Sequence, residues 1–188
     1  MTKFEPITHA NKVQNTGAIE MKTYKLSDET KMVSWGTVLH RVVATTTFTL
    51  ACGVTIHSGD VGGWIENESN LSDNAWVSGD AQVFGNARIY GNALVSDSAE
   101  VFGNAWIYDA AQVSGNAKVS GKALISGNAK VYDNAWVTGN AWVADNAEVS
   151  GDAWVYGDAE VYGDAKVFDY ALVQASRIAR VMNVLATN

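Results

Sequence analysis

The residues of this 188-residue chain with the most obvious chemical potential are three histidines, His9, His40 and His57, and a single cysteine, Cys52. A histidine acts as a general base near neutral pH when a partner orients it. No such partner stands at a recognisable spacing here. His40 lies in an apolar run, Val38-Leu39-His40-Arg41-Val42, and reads as a packed or surface histidine. The histidines are far apart in the chain and Cys52 is alone, so no zinc-ligand spacing occurs. Asp152, Asp158 and Asp164 suggest calcium by type, but their six-residue spacing puts them on three different corners of one coil of the repeat described below. They cannot converge on one ion. Neither the Gly-Gly-x-Gly-x-Asp calcium loop nor a GxxxxGK[ST] phosphate loop is present. The expected catalytic, cofactor and metal sets are therefore all empty.

The element that positions everything else is a repeat. Seventeen six-residue units run unbroken from Ser72 to Val173, each with alanine fourth and valine or isoleucine sixth. A short fixed period means a solenoid, whose units bury their apolar side only by stacking on neighbours. In Ala75-Trp76-Val77-Ser78-Gly79-Asp80, strand alternation sends Ala75 and Val77 inward, and Trp76 and Ser78 outward. The Gly-Asn, Asp-Asn or Gly-Asp pair that follows is turn chemistry, since glycine and asparagine accept positive φ. Three sides close a triangular coil of eighteen residues, so the array makes between five and six coils. At roughly 4.8 Å per coil the rod is about 27 Å long. Corner asparagines should stack, Asn86 over Asn104 and Asn74 over Asn92.

Sorting the outward positions by every third unit separates three sides. Side one carries Gln112, Lys130, Glu148 and Lys166 with Ser78, Ser96, Ser114 and Ser150, and reads as solvated. Side two carries Phe84, Phe102, Trp136, Trp154 and Tyr156 beside Glu100 and Lys118. Side three carries Tyr90, Trp106, Tyr108, Leu124, Trp142 and Tyr162, with Arg88 and Glu160 near its two ends. An aromatic stripe of this size is unusual on a solvated monomer surface, and Trp and Tyr concentrate in interface hot spots. Side three is the expected interface, although aromatics also favour strands for their own sake.

The array resembles the left-handed parallel β-helix of the hexapeptide-repeat superfamily, and the left hand is what that resemblance implies. The expected fold is all-β, a single-stranded left-handed parallel β-helix with a small β-rich N-terminal cap and a short C-terminal helix. The order YKLS, the run Leu39-His40-Arg41-Val42-Val43-Ala44, GGWIE, then NLS leading into GNA units is similar to the YdcK-type β-helix proteins, an enterobacterial and prophage group. That second resemblance covers nearly all of residues 22–173. It implies fold, and a phage or host-interaction setting, without implying an activity.

The expected divisions are a flexible leader over 1–21, a β cap over 22–71, the array over 72–173 and a helical cap over 174–188. Gly62 and Gly63 are expected to turn the chain tightly, with Trp64 plugging the open first coil. At the other end Ser176 can cap a helix whose face carries Ile178, Val181, Met182 and Leu185. That face would cover the last coil or pack against sister subunits.

Net charge is −7, and the array holds thirteen acids against five bases. Such a rod repels phosphate backbones, so no direct nucleic-acid partner is expected. No stretch approaches the ~20 apolar residues of a membrane span, and no secretory signal opens the chain. A lone cysteine fits a reducing compartment, hence an expected cytoplasmic location, in the host if phage-encoded. The first functional reading is a non-catalytic binding or scaffold protein that forms homo-oligomers, a trimer favoured by the resemblance, and engages a further, unidentified protein partner. The second is an acyl-CoA-dependent acyltransferase, the best known activity of the superfamily. It lacks a histidine on a coil and an extruded loop, and would need His40 or His57 to reach a neighbouring coil. The third is an acidic decoy for a nucleic-acid-binding enzyme. Duplex DNA would carry about 16 charges over 27 Å, twice the net −8 of the array.

Overall fold

Each hexad folds the same way because three of its six positions are physically constrained. The computed structural model describes residues 22–33 and 36–174, together with the strands Arg177–Ile178 and Asn183–Val184. The leader expected over residues 1–21 lies outside the described residues. Every fourth-position alanine and sixth-position valine or isoleucine from Ala75 to Val173 is buried, none more than 2% exposed. The second position makes the corner and has positive φ in every unit. It is aspartate in Asp73, Asp97, Asp109, Asp133, Asp145 and Asp169, at 55–60°, and glycine elsewhere, at 64–76°. Only residues that tolerate the left-handed region fit there.

Two-residue strands at the fifth and sixth positions stack in parallel, in register, eighteen residues apart. Glu100 pairs with Gln82 and Lys118, and Val101 with Val83 and Val119. Three sheets result, of seven, nine and six strands once the cap strands and the two C-terminal strands are included with the seventeen hexad strands, and the solenoid makes about six turns. They correspond to sides one, two and three. Each outward residue donates its N–H to a carbonyl seventeen residues on, as Trp76 does to Ala93 and Ser78 to Val95, both at 2.9 Å.

Of the two roles expected for the corner asparagines, positive φ and stacking, the first falls to the residue before them. Their carboxamides stack into ladders, Asn86 to Asn104 at 3.1 Å, as expected, and likewise Asn116 to Asn134 and Asn128 to Asn146. The ladders through Asn134 and Asn146 end on a carboxylate, at Asp152 and Asp164, and Asn140 donates likewise to Asp158, whereas Lys122 follows Asn104 in the column that starts at Asn86. A carboxamide donates upward and accepts from below, whereas a carboxylate only accepts, so it closes the series. The three aspartates sort to three corners, as their spacing requires.

The cap is β-rich. Strands β1 (Tyr24–Met32) and β2 (Val38–Ala44) pair antiparallel, β2 pairs antiparallel with β5 (Val61–Ile65), and β5 joins the parallel stack at Gln82–Val83. A small hairpin, β3 (Phe48–Thr49) and β4 (Thr55–Ile56), lies beside them. Gly62 and Gly63 do not turn the chain; they lie inside β5. They are small because the strand passes close to the first coil. A Cβ on Gly62 would sit 2.5 Å from the Val77 carbonyl, and one on Gly63 2.7 Å from that of Ala81. Trp64 does not plug the solenoid. It is in register with outward-facing Gln82, while its neighbour Ile65 aligns with Val83 and enters the core. Trp64 is buried on the outer face beneath the Arg41 guanidinium, 4.3 Å from its ring centre. Trp76, expected outward, is buried beneath the cap, because Phe48 packs edge-on against it and Gly62 lies over it. The Tyr24 hydroxyl faces the carbonyls of Leu71 and Glu68 at 2.7 and 2.8 Å, and the Thr23 hydroxyl donates to the Asp73 carbonyl at 2.9 Å, which ties the cap to the array.

The C-terminal helix is not what the described part of that segment forms. Arg177–Ile178 and Asn183–Val184 are strands, paired in parallel with Glu160–Val161 and Lys166–Val167. The offset drops from eighteen to seventeen residues, so one residue is lost and the stack continues. The exposed edge of a parallel sheet offers a row of unpaired N–H and C=O groups, and continuing the stack satisfies them where a helix would not. Ser176, Val181, Met182 and Leu185 lie outside the described residues.

Candidate interaction surface

The residues with chemical potential are not brought together. His40 lies half-buried in β2, opposite Thr30 and Ile65. His57 is exposed at a turn, where its backbone N–H donates to the Asp60 carboxylate at 2.7 Å. Cys52 packs against the edge of the core as a small apolar residue. His9 lies outside the described residues. Among the described residues, no group of three His, Cys, Asp or Glu side chains could hold a metal ion. Among the described residues, no helix is long and apolar enough to cross a membrane.

The three sides differ in what the constant frame displays. On side three the outward fifth positions run Arg88, Trp106, Leu124, Trp142, Glu160 in register. Tyr90 stacks on Tyr108 at 5.1 Å and meets Trp106 edge-on at 6.2 Å. The Arg88 guanidinium lies 5.9 Å from the Trp106 ring centre. Burial first, then the neighbouring Tyr108, Asp109 and Asp73, push the Tyr90 hydroxyl up to about 12, against a smaller opposite pull from Arg88. Tyr162, half-buried, occupies the first position of its unit, in the same corner column as Tyr90 and Tyr108.

Side two presents Phe84 stacked on Phe102 at 5.2 Å, and Trp136 stacked on Trp154 at 5.3 Å, with Tyr156 4.9 Å from Trp154. The ion pair of Glu100 with Lys118, at 3.3 Å, separates these two clusters. Trp106, Trp136, Trp142 and Trp154 are each about 40% exposed, so the rings are packed along the rod and present their edges.

The sequence reading missed the sockets under two of these indoles. Ser120 and Ser126 are buried. Trp136 Nε1 donates to Ser120 Oγ at 3.4 Å, and Trp142 Nε1 to Ser126 Oγ at 3.2 Å. The signal was in the text: small residues, Ser120 with Thr138 and Ser126 with Ala144, interrupt columns that, from Phe84 and Tyr90 to the end of the array, are otherwise Phe and Tyr. Each buried serine precedes its tryptophan by sixteen residues.

The corners add a contrast in charge. The corner between sides two and three is glycine throughout: Gly85, Gly103, Gly121, Gly139, Gly157. The two corners bordering side one alternate, Asp73-Gly91-Asp109-Gly127-Asp145-Gly163 and Gly79-Asp97-Gly115-Asp133-Gly151-Asp169. Each of five of these aspartates accepts the N–H of the glycine stacked above it, Asp97 from Gly115 at 2.9 Å for example. Side one is thus fenced by carboxylates, while the aromatic sides meet across a corner whose second positions are bare.

Residues 81–97, 87–103 and 111–127 match the family model of the YdcK β solenoid repeat. Each window starts on a hexad alanine and ends on a corner residue, just short of one coil. No curated protein matches the chain. The matched windows cover well under half of the sequence, and the parallel solenoid observed over them is what that repeat describes: this part of the chain is similar to a YdcK-type β-helix.

Proposed function

We propose that this solenoid is a non-catalytic binding scaffold that self-associates through side three, and that its remaining surface engages a separate protein partner. The observation that carries the reading is the row Trp106, Leu124, Trp142 beside stacked Tyr90 and Tyr108, without charge between Arg88 and Glu160. Aromatic edges of this kind bury large apolar area at little conformational cost when a second surface covers them. The resemblance to left-handed β-helices favours three copies around an axis, and the setting proposed is a cytoplasm, the host's where the gene is carried by a phage. A second arrangement has its own support. Arg88 and Glu160 stand at opposite ends of the row, so two antiparallel copies would set each arginine against the other copy's glutamate. A two-fold interface uses one patch twice.

Sedimentation of the full chain at micromolar concentration tests both. The trimer predicts three times the 20.1 kDa chain mass, and the antiparallel dimer twice that mass. Replacing Trp106 and Trp142 together by Glu should reduce either to a monomer with an unchanged β spectrum. A wild-type monomer would remove self-association.

A further inference from the structure

The column at the corner of side one runs Ser78, Ser96, Ser114, Tyr132, Ser150, Phe168. Rings in successive rungs of the neighbouring columns stack in parallel, 5.2 Å apart for Phe84 and Phe102 and 5.1 Å for Tyr90 and Tyr108. Tyr132 and Phe168 are two rungs apart, hence about 10 Å, with Ser150 in the rung between. In the other two columns the serine gap is filled from within, by Trp136 over Ser120 and Trp142 over Ser126. The residue sixteen after Ser150 is Lys166, whose ammonium pairs with Glu148 at 3.1 Å; Ser150 is itself buried, at 9% exposure, and forms the floor of the column there, with a recess lying outside it. The recess, of about 370 Å³, is bounded by Tyr132, Ser150 and Phe168 and by the carboxylates of Asp133, Glu148 and Asp169.

We propose that this recess is a guanidinium slot: an arginine side chain of a basic peptide partner enters as the missing rung between Tyr132 and Phe168. The thickness suits one planar group, since ring centroids in stacked pairs prefer 4.5–7 Å. The charge suits a cation, three carboxylates facing the single ammonium of Lys166. Planarity separates arginine from lysine. A guanidinium stacks on aromatic faces and bonds carboxylates in its own plane, whereas an ammonium is a compact, strongly hydrated point charge. Asp133 is held for the role, because its Oδ2 accepts the Gly151 N–H at 3.1 Å. The slot lies at the corner between sides one and two, away from the apolar row of side three, and does not depend on self-association.

The test is amide NMR of the full-length labelled chain titrated with acetyl-Gly-Arg-Gly-amide, and with the same peptide carrying Lys or Tyr. The Arg peptide should give saturable shifts at Tyr132, Ser150 and Phe168, and the Lys peptide should bind about fivefold more weakly. Ser150→Tyr completes the aromatic ladder; it should abolish the saturable shifts and raise the melting midpoint. Phe168→Ala removes one wall and should weaken binding about three- to tenfold. No saturable shift, an equal response to the Lys or Tyr peptide, or binding that survives both substitutions would overturn the proposal.

Discussion

Side one and side three are built on the same hexad, the same corner φ and the same core ladder, and they display opposite surfaces. On side three the fifth positions are Trp, Leu and Trp, and the interrupted tyrosine column is filled by an indole of the same chain. On side one those positions begin with Trp76 beneath the cap and Leu94, then run Gln112, Lys130, Glu148 and Lys166; the column gap at Ser150 has no indole, and both borders carry aspartates. The backbone does not distinguish the two. In a solenoid the frame is fixed by three positions of each unit, and the other three are free to write a surface.

The strongest way to break the comparison is to destroy the frame both sides share. Val119 is fully buried in the ladder. Val119→Asp should cost more than about 4 kcal/mol, since an unpaired charge would enter a dry core. Denaturant unfolding reads this, and a fully stable variant would refute the stacked register. The bare corner comes next. A Cβ on Gly139 would meet the Gly157 backbone at 2.8 Å, at a φ of 76°. Gly139→Ala should cost about 1–3 kcal/mol by the same measurement.

The sockets sharpen the contrast at a smaller scale. Trp142→Ala should cost about 1–3 kcal/mol, because it uncovers buried Ser126, and Lys166→Ala at the equivalent place on side one should cost well under 1 kcal/mol, as an exposed ion pair does. Equal losses would mean that the indole is not seated.

Alkaline pH separates the regions differently. Burial, with a smaller push from Glu68, raises the Tyr24 hydroxyl in the cap to about 12, and burial raises Tyr90 on side three to about 12. An unfolded tyrosine titrates near 10. Their stabilising contribution is therefore complete below about pH 10 and lost as the pH rises from there towards 12. Chemical denaturation across that range should show the decline, reduced in Tyr24→Phe. Smallest of all, Asn140→Ala removes one exposed ladder bond to Asp158 and should cost about 0.5–1 kcal/mol.

Much of the fold was legible because the repeat over-determines it. Period, inward alanine and valine, coil length, the sorting of outward residues into three sides and the β-rich cap could all be read from spacing. The errors share a cause. Gly62, Gly63 and Trp64 were read by residue type and Trp76 by alternation alone, but their surroundings depend on how closely β5 and the hairpin approach the first coil. The C-terminal segment has helical periodicity, yet the sheet edge beside it offers hydrogen bonds that local propensity cannot weigh.

By itself, then, the sequence determined the solenoid and its register, because local alternation and a fixed period leave one way to bury the alanines and valines. Only the tertiary structure decided which indoles sit in sockets, which residues the cap buries, and which gap in an aromatic column has no indole over it. Those facts relate residues sixteen to eighteen apart that become neighbours only after the chain has coiled.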